Sequence, residues 1–275
     1  MRGLITSPAG VKLQRVVANL HCRTPIESWL APDTAVISHP KSGRTWLRIM
    51  LKETGIERVC FSHAGSGEQS SLPIDALEPI VDSWRSKRIL LLVRDPRDVA
   101  VSFYFQATRR TKVYSGCFAD FLRDPRFGLE RVVCFNLAWI AQNMRFASFG
   151  LLSYEQLHSE TLQTLSRAAQ FLLGRELGEF ELKKAVARST FDALHQMELS
   201  GEGRKQWGFR LSPGDQNDAE SYKTRRGIVG GWRDYFSSDD DVYATEILER
   251  HDYFARLRAL DEELYPGALS LSEAA

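Results

Sequence analysis

The sequence predicts an α/β fold with a central parallel sheet flanked by helices on both faces, and three observations predict it. Short apolar runs recur along the chain, each gives way to a segment of helical period, and the run Arg88–Val93 is almost wholly apolar. A strand covered on both faces needs apolar residues at successive positions, whereas a strand wet on one side alternates. Strands that alternate with helices imply a parallel sheet with the helices packed on either side.

Taken in order, residues 34–38 form a β-branched run that ends at His39-Pro40-Lys41-Ser42-Gly43 and passes into a helical pattern over 45–51. Residues 59–62 read as a second short strand and Arg88–Val93 as a third. Asp95-Pro96 then opens a helix, because Asp suits an N-cap and Pro is tolerated in a first turn. A fourth strand is expected at 149–153, followed by one amphipathic helix over 154–173 that stops at Gly174. Residues 200–231 differ, being rich in Gly and charge with a Pro213-Gly214 turn, and read as a long, lid-like loop.

At 275 residues, without a linker or an internal repeat, the chain is expected to be a single domain over 1–275, with a core of about 34–236 and peripheral ends at about 1–30 and 266–275. Lys and Arg total 36 against 35 Asp and Glu, which argues against a nucleic-acid or membrane-surface partner, so any anion site must be built locally. Cys22, Cys60, Cys117 and Cys134 form no CxxC pair, so neither a zinc site nor a disulfide framework is expected. No stretch approaches the ~18–20 apolar residues of a membrane span, and the first twenty residues lack a signal-peptide core, so the expected location is cytoplasmic.

In such a sheet, ligands bind beyond the carboxyl ends of the strands, where loops meet helix N-termini that carry free N–H groups. Pro40-Lys41-Ser42-Gly43-Arg44-Thr45 sits at one such exit. Gly43 permits close approach of an anion, Lys41 brings a mobile charge, and Ser42, Arg44 and Thr45 add donors. The order differs from GxxxxGK[ST], which disfavours a nucleoside triphosphatase. The next exit places Arg94 at a strand end and Ser102 two turns into the following helix, within reach of one anion. A third piece, Arg225-Arg226-Gly227 followed by Gly230-Gly231-Trp232, lies at the end of the lid-like segment.

Together these pieces resemble the signatures of the cytosolic-type sulfotransferases, which use 3′-phosphoadenosine 5′-phosphosulfate (PAPS) as donor and release 3′-phosphoadenosine 5′-phosphate (PAP). Their pattern is Pro-Lys-Ser-Gly-Thr-Thr-Trp, an Arg and a Ser eight residues apart, and Arg-Lys-Gly…Gly-Asp-Trp. The counterparts are Pro40 to Trp46, Arg94 with Ser102, and Arg225-Arg226-Gly227…Gly230-Gly231-Trp232. The resemblance implies a P-loop-like fold and a bacterial-type member of the family. It implies that Lys41, Ser42, Gly43, Arg44, Thr45 and Trp46 hold the 5′-phosphosulfate end, with Lys41 stabilising the leaving phosphate and Trp46 stacking on adenine. Arg94, Ser102, Arg225, Arg226 and Gly227 would grip the 3′-phosphate, and Tyr154, Ser189 and Phe191 would line the adenine pocket. No metal is required by this scheme.

Sulfuryl transfer to an alcohol needs a base near the acceptor oxygen. His63, in Phe61-Ser62-His63, matches the family's base and follows the second strand; His39 is the runner-up, while His21, His158, His195 and His251 read as surface or helix-end residues. The catalytic set is therefore Lys41, His63 and Ser102. Phe103, Tyr104, Phe105 and Trp207 are candidates for an acceptor pocket, and 204–210 for a basic, aromatic lid. Arg44 departs from the family's Thr, Gly231 from its Asp, and the interval before His63 is short, which leaves the small-molecule acceptor unassigned. The C-terminal dimerisation motif of animal members has no clear copy, which leaves a homodimer open. The competing classes are a nucleotide-dependent kinase, which would need Mg²⁺ ligands, and a non-catalytic nucleotide-binding relative.

Overall fold

The computed structural model describes residues 33–64, 66 and 77–266. The expectations for 1–30 and 267–275, with His21 and Cys22, lie outside these residues. Four strands, β1 (Thr34–Ile37), β2 (Cys60–Ser62), β3 (Arg88–Val93) and β4 (Ser148–Ser153), form one sheet in the order β2-β1-β3-β4. Every pairing is parallel, with Ala35 opposite Cys60 and Ile89, and Leu91 opposite Leu151. The four expected strands are all present, with their ends shifted by no more than a residue.

The helices, in chain order, are α1 (Arg44–Glu53), α2 (Leu77–Asp82), α3 (Pro96–Phe105), α4 (Phe118–Arg123), α5 (Leu129–Ile140), α6 (Tyr154–Ser159), α7 (Thr161–Leu173), α8 (Glu179–Arg188), α9 (Phe191–Leu199), α10 (Glu202–Trp207), α11 (Ser238–Arg250) and α12 (Tyr253–Leu264). Strand residues alternate between two cores. Val36, Leu90, Leu92 and Leu152 pack against α1, α7 and α8, while Ala35, Ile37, Ile89, Leu91 and Leu151 pack against α5, α11 and α12. That division explains the unbroken apolar run of β3, since both faces are dry. Each such leucine contributes ~1.5–3 kcal/mol by leaving water.

Two expectations need correction. The single helix over 154–173 is two, because Glu160 leaves helical geometry at φ −129°, ψ 49°. Ser153 and Gln156 close a capping box on α6, and the Thr164 hydroxyl donates to the Gln156 carbonyl across the break (3.0 Å), so local hydrogen bonds override the continuous apolar period. Residues 200–231 are also not one long loop. They hold α10 and 3₁₀ turns at Gly208–Leu211 and Ala219–Ser221, with Leu211 and Tyr222 buried and the Arg110 guanidinium donating to Ser212 O at 3.1 Å. These anchors lie far apart in sequence, beyond the reach of a local composition reading.

From β1 the chain crosses to β2 on one side and afterwards to β3 on the other. The crevice between the C-terminal ends of β1 and β3 is therefore the topological switch point, where open α/β sheets place ligands.

Candidate active site

The loop leaving β1 turns through left-handed backbone at Lys41 (φ 75°) and Gly43 (φ 92°). At Gly43 a Cβ would stand 2.5 Å from Tyr154 Cδ2, so glycine alone fits both the conformation and the approach. α1 begins at the next residue with neither a side-chain cap nor an acidic residue in its first turn. Its leading N–H groups and positive dipole end are thus left facing the crevice. Trp46 is held by its indole N–H, which donates to Ser189 O at 2.7 Å, and meets Tyr154 edge-on.

At the β3 exit, Asp95 caps α3 by accepting from the Arg97 amide, as its Asp-Pro sequence predicts. Arg94 joins the three motifs. Its Nη1 donates to Lys41 O (3.4 Å), its Nη2 donates to Ile228 O (3.0 Å) and pairs with Asp98 (3.3 Å), and its guanidinium lies 4.1 Å from the centre of the Tyr154 ring. Asp98 does more than pair with Arg94: its carboxylate accepts from the amides of Gly230 and Trp232, both at 2.9 Å. The glycine-rich segment is thereby clasped to α3. Gly227 (φ 66°) lies against Phe191, where a Cβ would come within 2.3 Å of the ring.

His63 follows β2 directly, and the register that pairs Ser62 with Ile37 sets it beside Ser38. Its Nδ1–H donates to Ser38 O at 2.8 Å, which fixes the tautomer and leaves the Nε2 lone pair for a proton. Burial and the nearby Arg44 charge hold its pKa well below the usual histidine range. Burial, reinforced by Lys223, Arg110, Arg94 and Arg225, likewise holds the Lys41 ammonium well below the usual lysine range. His39 is a core residue instead, sealed edge-on against Phe103 and Phe135, and burial takes its pKa down to about 3.

A cavity of about 330 Å³ opens at the switch point. Lys41, Gly43, Arg44, Thr45 and Trp46 form one wall, Arg94, Ser102 and Tyr154 a second, Ser189 and Phe191 a third, and Arg225, Arg226 and Gly227 a roof, with His63 at the β2 side. Of the residues expected to bind the donor or take part in transfer, Ser42 alone stands behind this surface, fully buried with its hydroxyl unpartnered.

The four aromatic candidates for the acceptor pocket lie away from this cavity. Phe103 and Tyr104 pack with Phe121 beneath α3, Phe105 meets Tyr235, and Trp207 joins a small core with Ile49 and Leu194; none of these lines the cavity. All four are spent on packing, as most aromatics are. The two arginines of the roof are engaged by carboxylates, Arg225 with Glu220 at 3.1 Å and Arg226 with Asp234 at 2.5 Å. His158 is exposed near the end of α6, as expected, and it also lines the cavity, with a 3.1 Å hydrogen bond through Nε2 to Gly227 O.

Sequence reasoning also missed Lys223, a cavity residue, and Glu198 behind it. The buried Glu198 carboxylate accepts from the amides of Lys223 (2.7 Å) and Thr224 (2.8 Å) and from the Thr224 hydroxyl (2.6 Å), so it sets the path of the chain into Arg225. The run Lys223-Thr224-Arg225-Arg226 carried the signal for Lys223; Glu198 gives none, because only the fold brings it there.

The fold and the site together define a class. A profile of the sulfotransferase domain matches residues 68–253, and the chain belongs to this family of PAPS-dependent sulfotransferases. Among curated proteins, sulfotransferase 2A1 of Macaca fascicularis is 24% identical over 274 residues, covering 85% of this chain and 87% of its own. Sulfotransferase 2A1 of Mus musculus is 29% identical over 246 residues, covering 74% and 79%. Among solved structures, mouse sulfotransferase SULT7A1 complexed with PAP superposes with a TM-score of 0.61 at 17% identity, covering 85% of this chain and 88% of the other. Retinol dehydratase in complex with retinol and PAP gives 0.60 at 18% identity, covering 80% and 81%.

Proposed function

We propose that this chain transfers a sulfuryl group from PAPS to a hydroxyl or amine of a small-molecule acceptor, with His63 as base and Lys41 stabilising the leaving phosphate. The observation that carries this reading is the convergence of three motifs, separated by about 50 and 130 residues in sequence, on the walls of one cavity. The residues fit such a donor. The hydroxyls of Ser42 and Ser189 and the Nε of Arg94 are buried without hydrogen-bond partners, and Gly43 and Gly227 let the rings of Tyr154 and Phe191 close in on the walls.

When bound, PAPS would supply an activated sulfuryl group on a phosphosulfate anhydride. The chain's residues do the rest. Arg94, Ser102, Arg225, Arg226 and the Gly227 amide would hold the 3′-phosphate, for which Arg225 and Arg226 must turn from Glu220 and Asp234. Ser42, Thr45 and the amides at the start of α1, that of Arg44 among them, would receive the 5′ end, and Trp46, Tyr154, Ser189 and Phe191 the adenine. His63 Nε2 takes the acceptor proton; its low pKa keeps it unprotonated at neutral pH, which a base requires. Lys41 brings positive charge to the oxygen on which negative charge develops.

The name of one structural neighbour pairs the donor product with retinol, and that of another pairs it with androsterone, which supports a small-molecule acceptor here. No helix among the described residues is long and apolar enough to cross a membrane. A cytosolic location belongs to this reading through the likeness to cytosolic-type enzymes, as does a role of 200–231 in closing over ligands.

The test is transfer of ³⁵S from labelled PAPS to a panel of phenols, hydroxysteroids and amines. Transfer to at least one acceptor is expected, reduced ~10²–10³-fold by Lys41→Ala and ~10²–10⁴-fold by His63→Ala. Full activity in both variants would reject these two roles.

A further inference from the structure

The cations around the cavity fall into two groups. Lys41 feels Lys223, Arg110, Arg94 and Arg225, whereas Arg44 feels Arg48 and Arg210. The second group is on the β2 side: Arg44 acts on His63 and Cys60, and the Arg48 guanidinium lies 4.2 Å from the centre of the Phe61 ring. Arg44 and Arg48 are one turn apart on the same face of α1.

Arg44 stands where the family pattern carries threonine. Arg44 lines the cavity, its Nη1 is buried with no hydrogen-bond partner, and among the described residues no carboxylate forms an ion pair with Arg44 or Arg48. A guanidinium nitrogen buried with no hydrogen-bond partner is unfavourable unless something else meets it. Burial, with Arg48 and Arg210 beside it, lowers its pKa to about 9. A fork of N–H donors held in this way matches a planar or tetrahedral oxyanion.

We propose that Arg44, backed by Arg48 and Arg210, forms an oxyanion subsite beside His63, so that the acceptor of this enzyme bears a carboxylate or phosphate as well as the hydroxyl or amine that is sulfated. The inference rests on the sulfuryl-transfer reading. The backbone amides at the start of α1 remain available to the donor, while the Arg44 side chain turns to the acceptor. An anion seated there also offsets the charge that opposes protonation of His63, so the correct acceptor favours its own deprotonation.

The experiment uses PAP-saturated protein, titrated calorimetrically with three matched pairs of probes: 4-hydroxybenzoate, 3-hydroxybutyrate and lithocholate, each against its methyl ester, with phenyl phosphate as a phosphate probe. At least one acid, or phenyl phosphate, is expected to bind at least tenfold tighter than its neutral counterpart (phenol in the last case). Arg44→Thr is expected to reduce that preference below threefold, and Arg48→Ala to reduce it partly. Absence of any anion preference in the wild type overturns the proposal, as does a preference that survives Arg44→Thr. A tenfold loss of PAP affinity in Arg44→Thr with the preference intact would assign the arginine to the donor and overturn it equally. Failure of wild-type protein to bind PAP at all is the separate outcome that rejects the reading beneath it.

Discussion

Two histidines stand near the exit of β1 and behave differently. His63 turns one nitrogen to Ser38 O and leaves the other for chemistry, while His39, hydrogen-bonded at 3.1 Å to Pro40 O, is sealed between aromatic rings. The cost of charging His39 inside the fold has a pH signature. Its folded pKa of about 3 lies below the ordinary 6.5, so its contribution is intact above pH 6.5 and is lost as pH falls toward 3, where the unfolded chain takes the proton first. Glu155, raised to about 7 chiefly by burial, acts in the opposite sense, because the folded state binds its proton first as pH falls below 7. The sum is therefore uninformative and the difference is not. His39→Asn, which keeps a donor for Pro40 O, should show a shallower fall in Tm between pH 6.5 and 3 than the wild type, measured by calorimetry; parallel curves would show that His39 does not titrate as a buried group.

At the same scale, the sequence showed which residues are chemically able and not always what they touch. Lys41, His63, Arg94 and Ser102 were legible because each sits at a strand exit or in the following helix, and exits are visible as the ends of apolar runs. The candidate acceptor aromatics could not be told from core residues, because an aromatic residue carries no local mark of whether it faces a cavity or a core. Arg44 was legible as a departure from a pattern, but its buried, unpartnered Nη1 appears only once the fold is known.

Among the elements, the clasp between α3 and the glycine-rich segment matters most. Asp98 answers two amides that would otherwise be buried without partners, and it holds Arg94 in place. Asp98→Ala should lower stability by about 2–4 kcal/mol in urea unfolding, and should weaken PAP binding by releasing the roof that carries Arg225, Arg226 and Gly227. Asp98→Asn retains one carbonyl acceptor and should lose less of both. Unchanged PAP affinity in Asp98→Ala would show that the roof is held by other contacts. The four strands were readable from apolar runs because a doubly covered sheet forces them. The break at Glu160 and the helical turns within 200–231 were not, since they depend on Thr164 bonding Gln156 and on Arg110 reaching Ser212.

Across the whole molecule, the sheet order β2-β1-β3-β4 places the exits of β1 and β3 side by side and the exit of β2 next to them. One crevice thus collects Lys41 from the first exit, Arg94 from the second and His63 from the third, and the C-terminal segment closes over them through Asp98. A net charge of +1 gives no hint of this, because the cations are concentrated at the crevice and balanced elsewhere. The central claim is that the crevice binds a nucleotide through its 3′-phosphate. Calorimetric titration of the wild type and Arg94→Ala with PAP, and with adenosine 5′-phosphate lacking the 3′-phosphate, tests it most directly. The account predicts tight binding of PAP, binding at least a hundredfold weaker without the 3′-phosphate, and loss of that distinction in Arg94→Ala. Equal affinity for the two nucleotides, or an undiminished distinction in the variant, would contradict it.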